Sequence, residues 1–139
     1  MLKINQKGAD LYVYGLSPFI LGDTLDCGQA FRWQQISDNE FCGIAFNKYL
    51  HIIQTKDAVI FKNTTKKDFD DIWYNYFDCD RNYNDILSAL ATNDTLKKAC
   101  DFSSGIRLLN QEPWEAICSF IISQNNNIPR IKGIISRLC

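Results

Sequence analysis

The spacing of apolar residues changes halfway along this chain, and the change constrains the fold more than any other feature of the sequence. The first half consists of short runs rich in β-branched and aromatic residues, separated by polar turns. In the second half, apolar residues recur every three or four positions, as they do in helices. Because the strands come in a run instead of alternating with helices, an antiparallel sheet is favoured over a parallel one. We therefore predict an α+β domain in which an antiparallel β-sheet with packed helices comes first.

Five strands are predicted in the first half, with Asp10–Tyr14 at the edge of the sheet. In one of them the two-residue period places Leu50 and Ile52 on one face and His51 on the other. No potential ligand lies near His51 in the sequence, which indicates an ordinary sheet residue. The strands that follow the edge strand are Phe31–Ile36, Phe41–Phe46, Tyr49–Thr55 and Ala58–Lys62.

The second half begins with a capping box, Thr65-x-x-Asp68, and predicts a series of helices. The helix that opens at Pro113 is apolar on nearly every side, so we expect it to be buried on most sides. These patterns predict a domain over residues 1–103 and the start of a second, helical domain over residues 104–139. The helical signals are Phe69, Ile72, Trp73, Tyr76 and Phe77 at helical spacing, the segments Asn84–Ala91 and Asp94–Cys100, and the stripe Ile131, Ile134, Ile135 and Leu138 after Pro129.

Composition and charge exclude some classes of protein and leave others open. Aromatic residues make up 13% of the chain, which is typical of a folded domain and not of a disordered one. The net charge of −1 argues mildly against binding of nucleic acid. However, the only charged residues from Ile128 to Cys139 are Arg130, Lys132 and Arg137. Any contact with phosphates is therefore expected at that end of the chain.

The six cysteines and the single histidine are too widely spaced for a metal site, so we expect neither a metal nor a cofactor. The polar N-terminus does not resemble a signal peptide, and no run approaches the roughly 20 apolar residues of a membrane span. We expect an intracellular protein with reduced thiols and without a membrane partner.

Two segments invite a functional interpretation, Asp26-Cys27-Gly28-Gln29-Ala30-Phe31-Arg32-Trp33 and Ser123-Gln124-Asn125-Asn126-Asn127-Ile128-Pro129-Arg130. On residue types alone, the first segment is also typical of a turn that leads into an aromatic strand. The second is also typical of a capped connection between helices. The functional alternative is that glycine admits a close backbone approach, amides fill a base stack and arginine reads a base edge.

The segments Asp23–Trp33, Gly105–Glu115 and Ser119–Ile128 resemble, in this order, the motifs of 8-oxoguanine DNA glycosylases. The resemblance implies a TATA-binding-protein-like N-terminal domain, followed by the first helices of an all-α helix-hairpin-helix domain. It implies a DNA N-glycosylase with AP lyase activity in base-excision repair, and a double-stranded DNA partner that contains an oxidised guanine. Such enzymes flip the damaged base out of the duplex. The resemblance also implies a protein of the cytoplasm or nucleoid of a bacterial cell.

The resemblance also implies roles for three residues. Gly28 would offer its backbone carbonyl to the damaged base, Asn125 would fill the gap left in the DNA, and Arg130 would contact the orphaned cytosine. Gln29, Asn126 and Asn127 are expected to be architectural. Phe31 and Trp33 are expected to be core residues.

By the same resemblance, the nucleophilic lysine, a stabilising aspartate and a Gly-rich helix-hairpin-helix lie downstream of the Asn run. No catalytic residue is therefore assigned within residues 1–139, and Lys132 is expected to face solvent without a catalytic role. We expect the isolated chain to be inactive because this C-terminal segment is required for activity. The alternatives are an alkylpurine DNA glycosylase of the same superfamily and a non-catalytic damaged-DNA-binding module.

Overall fold

A six-stranded antiparallel sheet forms the first part of the computed structural model, which describes residues 2–139. The strands are β1 (Lys3–Lys7), β2 (Asp10–Tyr14), β3 (Trp33–Ser37), β4 (Glu40–Ala45), β5 (Lys48–Gln54) and β6 (Ala58–Lys62). Their order across the sheet is β1-β2-β6-β5-β4-β3, and all neighbouring pairs are antiparallel. The predicted antiparallel sheet is confirmed.

The prediction that Asp10–Tyr14 lies at the edge is wrong, because β1 pairs with its outer side and β6 with its inner side. The sequence of β1 has mostly exposed polar side chains, so no apolar alternation marks it as a strand. The predicted faces of β5 are confirmed, since Leu50 and Ile52 are fully buried and His51 is half-buried on the outer face.

Helices cover the inner face of the sheet and then continue beyond it. They are α1 (Leu21–Leu25), α2 (Lys66–Asp68), α3 (Tyr74–Tyr76), α4 (Tyr83–Leu90), α5 (Asp94–Phe102), α6 (Pro113–Ser123) and α7 (Ile128–Leu138). A π-helical turn over Phe69–Trp73 joins α2 to α3. The predicted cap is confirmed, because the hydroxyl of Thr65 accepts a hydrogen bond from the backbone N–H of Asp68 at 3.0 Å.

Aromatic rings from the sheet and from the α2–α3 region form one buried cluster. Trp33 is 1% exposed and donates its indole N–H to the hydroxyl of Tyr76 at 2.8 Å. The rings of Trp73 and Phe77 also pack against Trp33, with centroids at 6.5 and 6.1 Å. This cluster fixes the start of β3 and confirms that Trp33 is a core residue.

The structure contradicts the expectation that the Pro113 helix is buried on most sides. Trp114 and Phe120 on α6 are 71% and 68% exposed, and Ser119 is the buried residue of this helix. Among the described residues, α7 is the element that packs along α6, and one neighbouring helix covers only part of an all-round apolar surface. On α7 the predicted stripe holds over Ile131 and Ile135, which are buried, and fails at Leu138, which is 71% exposed.

Candidate nucleic-acid interface

The first candidate segment forms a tight turn between α1 and β3. Gly28 has a φ of +89°, a backbone conformation that residues with a Cβ rarely adopt. The carbonyl of Thr24 accepts hydrogen bonds from the side-chain amide of Gln29 at 2.9 Å and from the thiol of Cys27 at 3.5 Å. These bonds curl the chain back on the end of α1, so that the conformation of Gly28 is fixed locally.

Gln29 holds this turn against an extended segment, residues 105–111. Its side-chain amide donates to the carbonyl of Arg107 at 2.8 Å, and its side-chain carbonyl accepts from the N–H of Leu109 at 3.0 Å. The side chain of Gln111 donates in turn to the backbone carbonyl of Gln29 at 2.5 Å. The architectural role expected for Gln29 is confirmed.

Arg107 anchors the same extended segment from inside the molecule. It is 2% exposed, and it donates to the carbonyl of Pro18 at 3.0 Å and to the carbonyl of Asp78 at 2.8 Å. Its guanidinium carbon lies 4.5 Å from the centre of the Tyr83 ring. Burial lowers the pKa of Arg107. Sequence reasoning missed this anchor, although a lone arginine between Ile106 and Leu108 was a usable signal.

The second candidate segment connects α6 to α7. Asn126 donates its side-chain amide to the carbonyl of Ile122 at 2.7 Å, and the side chain of Asn127 accepts from the N–H of Arg130 at 3.0 Å. Both residues are therefore architectural, as expected. Asn125 differs, since it is exposed and has a left-handed φ of +55°.

The structure brings the two segments together. A Cβ built on Gly28 would lie 3.4 Å from the Cδ1 of Ile128, in the first turn of α7. One turn further on, the ammonium of Lys132 lies 2.5 Å from a carboxylate oxygen of Asp26. The expectation that Lys132 faces solvent is therefore wrong, because this ion pair leaves its side chain 33% exposed. Arg130 lies between the two contacts in sequence and is exposed.

A cleft of about 470 Å³ lies between the sheet and the α6–α7 pair. Arg32, just before β3, donates to the carboxylate of Glu115 on α6 at 3.2 Å, and both residues line the cleft. Apolar side chains of Phe46, Trp114 and Leu138 supply much of its wall. The cleft therefore combines an apolar wall with one ion pair that ties α6 to the sheet.

Two further properties of residues 2–139 bear on the chemistry of this interface. No group of three or more His, Cys, Asp or Glu side chains among them is arranged to hold a metal ion. Their longest apolar helices are too short to cross a membrane. The exposed polar side chains near the start of α7 include the amide of Asn125 and the guanidinium of Arg130.

Comparison with known sequences identifies related proteins. The family model of the 8-oxoguanine DNA glycosylase N-terminal domain matches residues 13–117. The N-glycosylase/DNA lyase of Saccharomyces cerevisiae is 60% identical over 35 residues, which are 25% of this chain and 9% of the yeast protein. That match is short, and the family model covers most of the chain.

Comparison with solved structures extends the similarity to 95% of the chain. MBOgg1 in complex with a low-affinity DNA ligand superimposes with a TM-score of 0.91 and 40% identity, and 46% of it is covered. The 8-oxoguanine glycosylase/lyase of Clostridium acetobutylicum in its apo form gives a TM-score of 0.86 at 39% identity, again with 46% covered. In complex with double-stranded DNA containing cytosine opposite 8-oxoguanine, the clostridial enzyme gives 0.88 at 39% identity, with 45% covered. This chain thus spans less than half the length of these relatives, and the predicted fold is confirmed over that part.

Proposed function

The chain belongs to the 8-oxoguanine DNA glycosylase family, and from this premise we propose that residues 1–139 recognise 8-oxoguanine opposite cytosine in double-stranded DNA. The observation that carries the proposal is the junction of the two candidate segments, where the Gly28 turn lies against Ile128 at the start of α7. The residues that recognise the damaged base and those that contact the opposite base must be held at a fixed distance from each other, because both act on one base pair from which the damaged base is flipped out. Action on chromosomal DNA would place the protein in the cytoplasm or nucleoid.

Gly28 would discriminate the damaged base through its backbone carbonyl. Oxidation of guanine places a proton on N7, where the normal base has a lone pair. One carbonyl acceptor therefore forms a hydrogen bond with 8-oxoguanine and faces an unpaired acceptor on guanine, a difference of about 1–3 kcal/mol for a buried group. The φ of +89° at Gly28 supports this role, because a residue with a Cβ would strain this conformation.

Asn125 and Arg130 would act on the DNA around the flipped base. Both are exposed near the start of α7, whereas Asn126 and Asn127 are engaged with backbone groups. Asn125 would fill the gap in the base stack, and Arg130 would contact the orphaned cytosine through its guanidinium donors.

We also propose that residues 1–103 and residues 104–139 have different roles in recognising the DNA. The first part would present the lesion-reading turn, and the second would begin the helical domain that carries Asn125 and Arg130. Gln29 and Arg107 would keep the two parts in register through the hydrogen bonds that fix residues 105–111.

We assign the nucleophile of the family's glycosylase and lyase chemistry to no residue within 1–139. Covalent catalysis needs an amine with an available lone pair, and Lys132 is engaged as an ammonium with the carboxylate of Asp26. We therefore expect the 139-residue chain to form no borohydride-trapped adduct with a duplex that contains an abasic site. A trapped adduct would overturn this part of the proposal.

The recognition proposal is tested by comparing duplexes that differ only in one base, 8-oxoguanine or guanine, opposite cytosine. We expect weak binding at physiological salt, no tighter than about 10⁻⁴–10⁻⁶ M, because few phosphate-binding cations are present. Fluorescence anisotropy at low salt should still resolve tighter binding of the lesion duplex. Equal affinity for the two duplexes would contradict the proposal.

A matched pair of glycine variants sharpens this test. Gly28→Ala should abolish the preference for the lesion, because the turn can no longer hold a φ of +89°. Gly8→Ala introduces a similar strain at a φ of +61°, where a Cβ would meet no atom within 4 Å, and should keep the preference. Both variants should lose about 1–2 kcal/mol of unfolding free energy, so that a loss of stability alone cannot explain a difference between them.

A further inference from the structure

We propose that the ion pair between Asp26 and Lys132 is a positioning contact that sets the preference for 8-oxoguanine. This inference rests on the proposed function, because it concerns how the Gly28 turn is held relative to α7. Asp26 and Lys132 would touch neither the base nor the sugar. They would act through the backbone of residues 26–28. The carbonyl of Gly28 in this stretch must lie at hydrogen-bond distance from the damaged base.

One side of this contact is rigidly connected to the core. Asp26 directly follows α1, where the hydroxyl of the buried Thr24 donates to the carbonyl of Gly105 at 3.1 Å. The same hydroxyl accepts from the N–H of Arg107 at 3.2 Å. The base of the turn is therefore fixed, and the ion pair restrains its outer end.

The other side of the contact lies on the face of α7 that meets the turn. Ile128 and Lys132 are four residues apart, so their side chains project from the same face of the helix. Ile128 lies over Gly28 and Lys132 pairs with Asp26, so one helical turn makes both an apolar and an ionic contact with residues 26–28. The buried Ile131 and Ile135 adjoin this face and hold α7 in place.

The charges argue against Lys132 as a phosphate contact. It is one of the three charged residues from Ile128 to Cys139, and its ammonium is neutralised by Asp26 at 2.5 Å. Arg130 and Arg137 are exposed on the same helix. Of the three cations on this helix, Lys132 is the one engaged with the turn, which fits a role in positioning better than a role in attracting DNA.

The expected effect is modest, since the two side chains are 33% and 44% exposed. Ion pairs of this exposure change an equilibrium constant by up to about fivefold. We therefore expect Asp26→Asn and Lys132→Gln each to lower the ratio of affinities for the lesion duplex and the guanine duplex by about two- to fivefold. The charge-reversed double variant Asp26→Lys/Lys132→Asp should restore most of the ratio.

The ratio separates positioning from the two simpler roles. If Lys132 contacts phosphate, Lys132→Gln weakens binding to both duplexes equally, and Asp26→Asn tightens both by freeing the ammonium. If the pair only stabilises the fold, both variants unfold at lower urea concentration, but the ratio measured on folded protein does not change. Either pattern would overturn the inference.

A readout without DNA keeps this test independent of the proposed function. Amide hydrogen exchange at Leu109, whose N–H donates to the side-chain carbonyl of Gln29 in the turn, followed by NMR, reports how often the turn opens. We expect faster exchange in each single variant and recovery in the charge-reversed variant. If the wild-type chain shows no lesion preference but this exchange pattern holds, the proposed function fails, and with it the effect of the pair on the preference, while the restraint of the turn by the ion pair stands. If exchange at Leu109 is the same in all four proteins, the positioning contact fails.

Discussion

The sheet unit, residues 2–102, and the helical hairpin, Pro113–Leu138, use the same kinds of side chain in opposite ways. In the sheet unit Trp33 and Trp73 are each 1% exposed, whereas Trp114 in the hairpin is 71% exposed. The sheet unit therefore holds its apolar surface inside, and the hairpin leaves much of its own in solvent. The stability of residues 2–139 therefore lies mainly in the sheet unit, while the hairpin depends on the contacts that orient it.

The segment between the two regions explains how the hairpin keeps its orientation. Gln29 and Arg107 fix residues 105–111 with hydrogen bonds to the sheet unit. The Arg32–Glu115 and Asp26–Lys132 pairs then tie α6 and α7 to the region around the start of β3. Polar contacts thus fix the position of the hairpin, whereas aromatic packing fixes the structure of the sheet unit.

The largest expected effect comes from truncating matched tryptophans in the two regions. Trp33→Ala should lower the free energy of unfolding by about 3–5 kcal/mol, because it leaves a cavity beneath the sheet and removes the partner of the Tyr76 hydroxyl. Trp114→Ala should change it by less than about 0.5 kcal/mol, since the indole is mostly in solvent. Urea denaturation followed by circular dichroism measures both. Equal losses in the two variants would mean that the hairpin tryptophan is as important for stability as the one in the sheet unit.

The next effect concerns the buried anchor of the connecting segment. Arg107→Met leaves the carbonyls of Pro18 and Asp78 without their donor, and should cost about 1–3 kcal/mol of unfolding free energy. Arg137→Met, a substitution of the same kind at an exposed position of α7, should be nearly neutral. Urea denaturation compares the two, and a neutral Arg107→Met would mean that Gln29 and Thr24 hold the segment without the arginine side chain.

The sequence predicted the sheet well because its apolar alternation is strong wherever one face is buried. The prediction failed at β1, because Lys3–Lys7 has one half-buried side chain among exposed ones and shows no alternation of apolar and polar residues. It failed at α6 because an all-round apolar helix indicates burial only when enough neighbours are present to cover it. For the site, the motifs led to Gly28, Asn125 and Arg130, whose roles stay predictions.

The contacts that join the two motifs could not be predicted in this way. Asp26 and Lys132 are 106 residues apart, and no local pattern pairs an exposed acid in one turn with a particular cation in a distant helix. The fold decides that pairing by placing α7 against the end of α1. The same reasoning applies to Arg107, whose acceptors are backbone carbonyls that have no sequence signature.

A smaller effect on stability, with a clear effect on solution behaviour, is expected from the exposed face of α6. The double variant Trp114→Gln/Phe120→Gln should change unfolding free energy by less than about 0.5 kcal/mol per site. It should also reduce concentration-dependent self-association, because exposed apolar patches promote it. Sedimentation velocity at several concentrations measures the association. A large loss of stability would instead mean that these side chains are buried in solution.

The smallest effect comes from an ion pair inside the sheet unit and depends on pH. The hydrogen bond from Lys62 lowers the pKa of Asp10 below its ordinary value, and the backbone N–H of Asn63 adds to this. A carboxylate with a depressed folded-state pKa contributes stability above its unfolded pKa and loses it as the pH falls through the folded value. Asp10→Asn should therefore cost about 0.2–0.5 kcal/mol at pH 7, a figure kept small because solvent screens the pair.

The same substitution should cost nothing once the pH lies below the pKa of the folded carboxyl, because the wild-type side chain is then neutral as well. Asp57→Asn, in the exposed turn between β5 and β6, serves as the control and should be neutral at both pH values. Urea titrations of the three proteins at pH 7 and at a pH below the folded-state pKa of Asp10 measure the differences. A penalty for Asp10→Asn that persists at the lower pH would show that the side chain acts through its shape and its bond to Asn63, not through its charge. The hairpin has Glu115 as its only acidic residue, so acid should weaken the sheet unit before it weakens the packing of α6 on α7.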